Sequence, residues 1–203
     1  MAPTIRPSLL GSLLNAAEHM SRWAVWFGGA LTIGSVLLIS FDVIVRKFFG
    51  FSTGGADELS SYAFAISTSW AFAFATLQRA NVRVDVLYQH LPVRVSAVLD
   101  WLSLVTLGIF MVVMTFYAYD VVAASWVQNS AANTPLATPL YIPQGLWLLG
   151  LIWMCLVLAL MLVRASWALV TGRIDDLKAI AGVRSTQEEA EEEAAAGERM
   201  VKG

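Results

Sequence analysis

The sequence predicts an all-α protein of the membrane: a four-helix integral bundle, an N-terminal amphipathic helix and a disordered acidic C-terminal tail. Three observations carry that prediction. The 203 residues are 58% hydrophobic and only 14% charged, where soluble domains carry about a quarter charged residues; mean hydropathy is +0.66. Four apolar stretches approach the roughly 20 residues that cross a bilayer as a helix. The chain from Val121 to Val163 has no charged residue at all, whereas barrel strands are short and alternate polar with apolar positions.

The formal charge of -2 comes from the C-terminus, where Glu188, Glu189, Glu191, Glu192, Glu193 and Glu198 cluster. Without that tail the chain is mildly basic. The lone cysteine, Cys155, has no second thiol for an internal disulfide or a thiolate metal site. No small-x-small cleavage site follows the first apolar run, which therefore reads as a span and not as a removed signal.

Residues 1–22 form the N-terminal segment. Within it, Leu9, Leu10, Leu13, Leu14, Ala17 and Met20 fall on one helical face, with Ser8, Ser12, Asn15, Glu18 and His19 elsewhere. That pattern predicts a helix lying in the membrane interface ahead of the first span. The membrane domain follows at 23–170, with spans at about 23–45, 57–78, 97–120 and 143–165, and the tail occupies 171–203.

Span one is uncharged until Asp42. Asp42 and Arg46 are four apart and can pair on one helix face. Asp57 and Glu58 open span two, where acids complement the positive end of the helix dipole and Asp57 can act as a cap. Two other roles are open for these acids. One is an ion pair with Arg46 across the Gly54-Gly55 turn, pinning two helices in register. The other is a proton or cation site.

Span two carries small residues every fourth position: Ser61, Ala65, Ser69 and Ala73, with a second row at Ala63, Ser67, Ala71 and Ala75. Small residues let membrane helices approach closely enough for van der Waals and hydroxyl contacts. The seam fits either a partner subunit or the chain's own bundle. Taken alone, the alternation from Ala71 to Ala75 resembles a strand; spanning length among three continuous apolar runs decides for helix.

Arg79, Arg83 and Asp85 form a basic turn, with Asp85 placed to cap a short interfacial helix at 86–91. Span three lies between Asp100 and Asp120. The uncharged loop predicted at 122–143 holds Pro135, Pro139 and Pro143, which forbid a long regular helix there; Pro143 suits the first turn of span four. A short helix is predicted at 174–183. Residues 186–203 are a Glu/Ala run that reads as disordered or transiently helical. No internal repeat is visible, which argues against a self-contained inverted-repeat transporter.

Lys and Arg set the predicted orientation. Arg6, Arg22, Arg79, Arg83, Arg94, Arg164, Arg173, Lys178 and Arg184 fall on one side, and only Arg46 and Lys47 on the other. Both termini are thus predicted cytoplasmic. His19 and His90 are the only histidines and sit on different segments, so no acid-base set, nucleophile, metal-ligand spacing or cofactor motif is evident, and nothing points to nucleic acid.

Arg46, Phe48, Phe49, Gly50, Phe51 and Ser52, then Asp57, Glu58, Leu59 and Tyr62, then Arg83, Val84 and Asp85 resemble in order and spacing the small membrane subunit of tripartite ATP-independent periplasmic (TRAP) transporters. Gly54, Gly55 and Ala56 stand where that family often has an aromatic residue before the acids, and Asn81 where it often has a histidine. The resemblance implies a multi-pass protein of the bacterial inner membrane. It further implies two partners besides the bilayer, a large sodium-coupled membrane subunit and a periplasmic solute-binding protein that delivers a carboxylate-bearing solute. It implies bracing of the large subunit, with no enzymatic activity and no cofactor. The rival reading is a stand-alone homo-oligomeric channel or exporter, using hydroxyls near mid-membrane such as Ser67, Thr68 and Ser69.

Overall fold

The computed structural model describes residues 9–52, 54–80, 91–181 and 197, and the structural statements below concern those residues. They form five helices of eight residues or more: α1 (Leu9–Phe49), α2 (Ala56–Leu77), α3 (Val93–Val127), α4 (Tyr141–Val170) and α5 (Ile174–Ala181). No named strand occurs among the described residues; an isolated antiparallel bridge joins Ala131 and Pro139. Arg83, Asp85, most of the predicted interfacial helix at 86–91 and the tail beyond Ala181, apart from residue 197, lie outside the described residues.

The 41-residue α1 corrects one expectation. The amphipathic segment and the first span are one continuous helix of about 60 Å, twice the roughly 30 Å of a bilayer core. The face expected to be uniform is also split. Leu14 and Ala17 are buried in the core, while Leu13 and Met20 are more than half exposed. The first turns of α1 therefore pack against protein with one edge of the predicted apolar face.

Three helices end by the same device. Ala80 N–H reaches Ala75 O, Ser130 N–H reaches Ser125 O and Arg173 N–H reaches Ala168 O, at 2.9, 3.0 and 2.9 Å. Each closes a Schellman turn over a left-handed residue, Arg79, Asn129 or Gly172, which satisfies carbonyls that the helix leaves unpaired. α1 stops instead at Gly50, whose φ of +73° turns the chain toward α2. α3 runs on to Val127, so the loop predicted at 122–143 shortens to 128–140. Pro143 occupies the first turn of α4, as its missing N–H allows.

The helices pack in the order α1–α2–α4–α3, with a lesser contact between α1 and α4. α4 is the centre: Leu151, Val157, Leu158 and Ala165 are at most 1% exposed. Small residues set the close approaches. A Cβ on Gly28 of α1 would stand 3.2 Å from Ser67 Cα, and one on Gly150 of α4 would stand 2.5 Å from Ser69 Oγ. α5 folds back beneath α3 and α4, burying Leu177 and Ile180.

Three helices are long and apolar enough to cross a membrane: Leu10–Phe49, Val93–Val127 and Tyr141–Val170. α2 is not among them, although its 22 residues extend about 33 Å. Its acids and hydroxyls dilute its apolarity, but the serine hydroxyls at mid-helix are satisfied within the protein. Ser67 Oγ donates to Ala63 O and Gly28 O, and Ser69 Oγ to Ile66 O. Large apolar side chains such as Phe27, Leu37, Phe48, Phe110 and Phe116 project outward from α1 and α3, as suits helices whose solvent is lipid.

Candidate functional site at the α1–α2 turn

The candidate site is built where α1 ends, α2 begins and the 128–140 loop returns. Its first cluster lies on α1. Arg46 pairs with Asp42 one helical turn earlier. Asp42 is 2% exposed, so its charge needs partners, and it has a second one in Ser52, whose Oγ donates to Asp42 Oδ1 at 3.0 Å. Gly54 N–H in turn donates to Ser52 Oγ at 3.2 Å. The turn is thereby tied back to the helix it leaves. The i,i+4 spacing of Asp42 and Arg46 made their pairing legible; the role of Ser52 was not.

The second cluster centres on Glu58, 8% exposed in the first turn of α2. Tyr62, one turn on, donates its hydroxyl to Glu58 Oε1 at 2.9 Å. Thr134 of the loop donates its hydroxyl to Oε2. Hydrogen bonds to a charged acceptor are roughly twice as strong as neutral ones. Shape completes the contact. A Cβ on Gly54 would stand 3.3 Å from Pro135 Cγ, and one on Gly55 only 2.0 Å from Leu136 Cδ1. Gly55 is therefore a notch that Leu136 fills.

This arrangement does not bring Arg46 and Glu58 together. Arg46 takes the nearer acid on its own helix, and Glu58 is covered by a loop from the far side of the fold. Asp57 is exposed, and the cap position belongs to Gly55, with no side-chain capping bond. The hydroxyls of Ser60 and Ser61 donate instead to the carbonyl of Asp57, at 3.0 and 2.7 Å. Thr134 and Leu136 were absent from the sequence reading. They lie 76 and 81 residues from their partners at Glu58 and Gly55 (134 − 58 and 136 − 55), with no motif to connect them.

The small-residue seam divides. Ser69 and Ala73 are buried, against α4 in the case of Ser69; Ser61 and Ala65, higher on the same row, are exposed. The second row faces α1 through Ser67. Packing inside the chain thus consumes much of the seam.

At the other end of the bundle, Arg79 Nη1 donates to the carbonyl of Lys178 in the last turn of α5, at 3.3 Å. A cation there complements the negative end of the helix. Gln78 donates to Glu18 at 3.1 Å, and Trp153 Nε1 donates to Ser21 Oγ at 3.0 Å. These contacts dock the overhanging start of α1 onto α2 and α4.

Long apolar helices in an open array, hydroxyls bonded to backbone and a structured polar turn at one end define a multi-pass helical membrane protein. The particular family is given by sequence comparison. The profile of the DctQ component of tripartite ATP-independent periplasmic transporters matches residues 35–166, about two thirds of the chain. The chain belongs to that family and is a small membrane subunit of a TRAP transporter. No curated protein and no solved structure matches it. The matched stretch begins inside α1 and ends inside α4, so it contains both clusters of the turn and the loop that covers Glu58.

Proposed function

We propose that the chain crosses the bacterial inner membrane four times, α2 included, with both termini cytoplasmic, and braces a large sodium-coupled subunit. That subunit takes up a carboxylate-bearing solute delivered by a periplasmic binding protein. The observation that carries this reading is the fate of the polar groups. Asp42 and Glu58 are engaged at one end of the fold, and Ser67 and Ser69 bond to backbone carbonyls. Large apolar side chains of α1 and α3 face outward, suited to lipid and to a partner's helices. A bracing subunit without enzymatic activity needs such surfaces and a stiff fold, and needs no polar path of its own.

Orientation has its own support. Arg22, Arg79, Arg94, Arg164 and Arg173 gather at the end of the bundle where α1 and α3 begin and α2 and α4 finish. Arg46 and Lys47 stand at the opposite end. The excess of cations favours the first end as cytoplasmic, which makes the α1–α2 turn and the 128–140 loop periplasmic.

The test is solute uptake into proteoliposomes, with sodium and binding protein present, for this chain alone, the large subunit alone and the two together. Uptake is expected only from the pair. Uptake by this chain alone would overturn the bracing reading.

A further inference from the structure

An acid in the first turn of a helix is stabilised by the helix dipole while fully solvated. The dipole does not require Glu58 to be buried, and desolvating a carboxylate is costly unless donors replace water. Its burial is the work of the loop. That loop has a frame of its own: Leu140 N–H bonds Ser130 O, Ala132 N–H bonds Thr138 O and Ala137 N–H bonds Thr134 O, each at 3.0 Å. The bridge between Ala131 and Pro139 closes it, and Trp126 meets Tyr141 edge-on at its base, centroids 4.7 Å apart. The result is a clasp whose tip, Thr134 to Thr138, reaches the start of α2. Apart from Glu58, the contact at the tip is apolar, Pro135 on Gly54 and Leu136 in the Gly55 notch, and Leu136 is still 48% exposed.

We infer that Glu58 is a positioning residue: through Thr134 it holds the 131–139 clasp against the α1–α2 turn and makes two distant segments one rigid surface. That surface presents Phe49, Phe51, Pro135 and Leu136 outward. Its use as a seat for the binding protein rests on the function proposed above; the latch itself does not.

The test separates the two. The full chain in lipid nanodiscs is followed by amide hydrogen exchange over residues 128–141, with the α2–α4 core as internal reference. Glu58→Ala and Thr134→Val are expected to speed exchange at the amides of Ala132, Ala137 and Leu140 by about ten-fold, the factor a charge-assisted hydrogen bond implies, with the core unchanged. Glu58→Gln, whose carbonyl still accepts from Thr134, is expected to fall between. Gly55→Val reaches the same loosened clasp with Glu58 intact, by filling the notch. Unchanged exchange in Thr134→Val, which remains informative if Glu58→Ala fails to fold, would overturn the latch. Uptake by the assembled transporter then tests the partner. Loss of uptake with assembly intact supports the seat, and full uptake with a loosened clasp removes the binding protein as its occupant.

Discussion

Two ion pairs on α1 have the same local chemistry. Glu18 and Arg22 near its start, and Asp42 and Arg46 near its end, each place an acid four residues before an arginine. Spacing alone makes them equals, worth a few tenths of a kcal/mol on an isolated helix. The fold makes them different. Glu18 and Arg22 are 39% and 58% exposed, so water competes for both. Asp42 is 2% exposed and is also bonded to Ser52 of the following turn. Removing a partner from a buried charge is far more damaging than removing one from a solvated pair. The two ends of the molecule differ in the same sense. The turn end hangs on two buried carboxylates, while the opposite end spreads its load over hydrogen bonds and an apolar core under α5.

That contrast can be broken from either side. The largest effect is expected from Leu177→Ala, which empties a fully buried position beneath the bundle. It should cost about 2–4 kcal/mol and lower the melting temperature in detergent, while exchange in the 128–140 loop stays as in the wild type. Equal loosening at both ends would mean that they are not independent. Arg46→Ala should come next, costing more than Arg22→Ala, because it leaves the buried Asp42 carboxylate without its cation, whereas Glu18 stays partly solvated. Comparable melting temperatures for the two variants would refute the importance of burial here.

Trp153→Phe should follow at about 1–2 kcal/mol, since it leaves the fully buried Ser21 hydroxyl without its indole donor. The smallest effect belongs to Arg22→Ala. Its loss should stay within about 0.5 kcal/mol and vanish as salt rises from 50 to 500 mM. Thermal melts of wild type and variant across that salt series provide the measurement. A difference that persists at high salt would give this pair a buried character that the structure does not.

Much of the architecture was legible in composition and periodicity. The apolar runs placed α1, α3 and α4, Pro143 marked the start of α4, and the polar stretch after Gly172 held α5. Small residues every fourth position announced that α2 packs closely. What they touch was not legible, since a glycine or serine row is the same whether a partner subunit or the chain's own α1 and α4 covers it. Ser67 against Gly28 and Ser69 against Gly150 were decided by the packing order α1–α2–α4–α3, which no periodicity encodes. The continuity of α1 was hidden for a different reason. A helical segment lying on a membrane and one extending a span carry the same 3.6-residue pattern, and only contacts with α2 and α4 distinguish them.

The sequence by itself determined the helices, the bilayer as their solvent, the charged ends and the family motif, because each depends on side-chain type and spacing within one element. The tertiary structure decided which acid each donor would take. Arg46 could have served Asp42, Asp57 or Glu58; it pairs with Asp42, one turn away on its own helix. Glu58 lies under Thr134, whose loop the chain brings back 76 residues later. An ion pair within a helix is a local property, but the burial that gives a carboxylate its importance is conferred by residues distant in sequence.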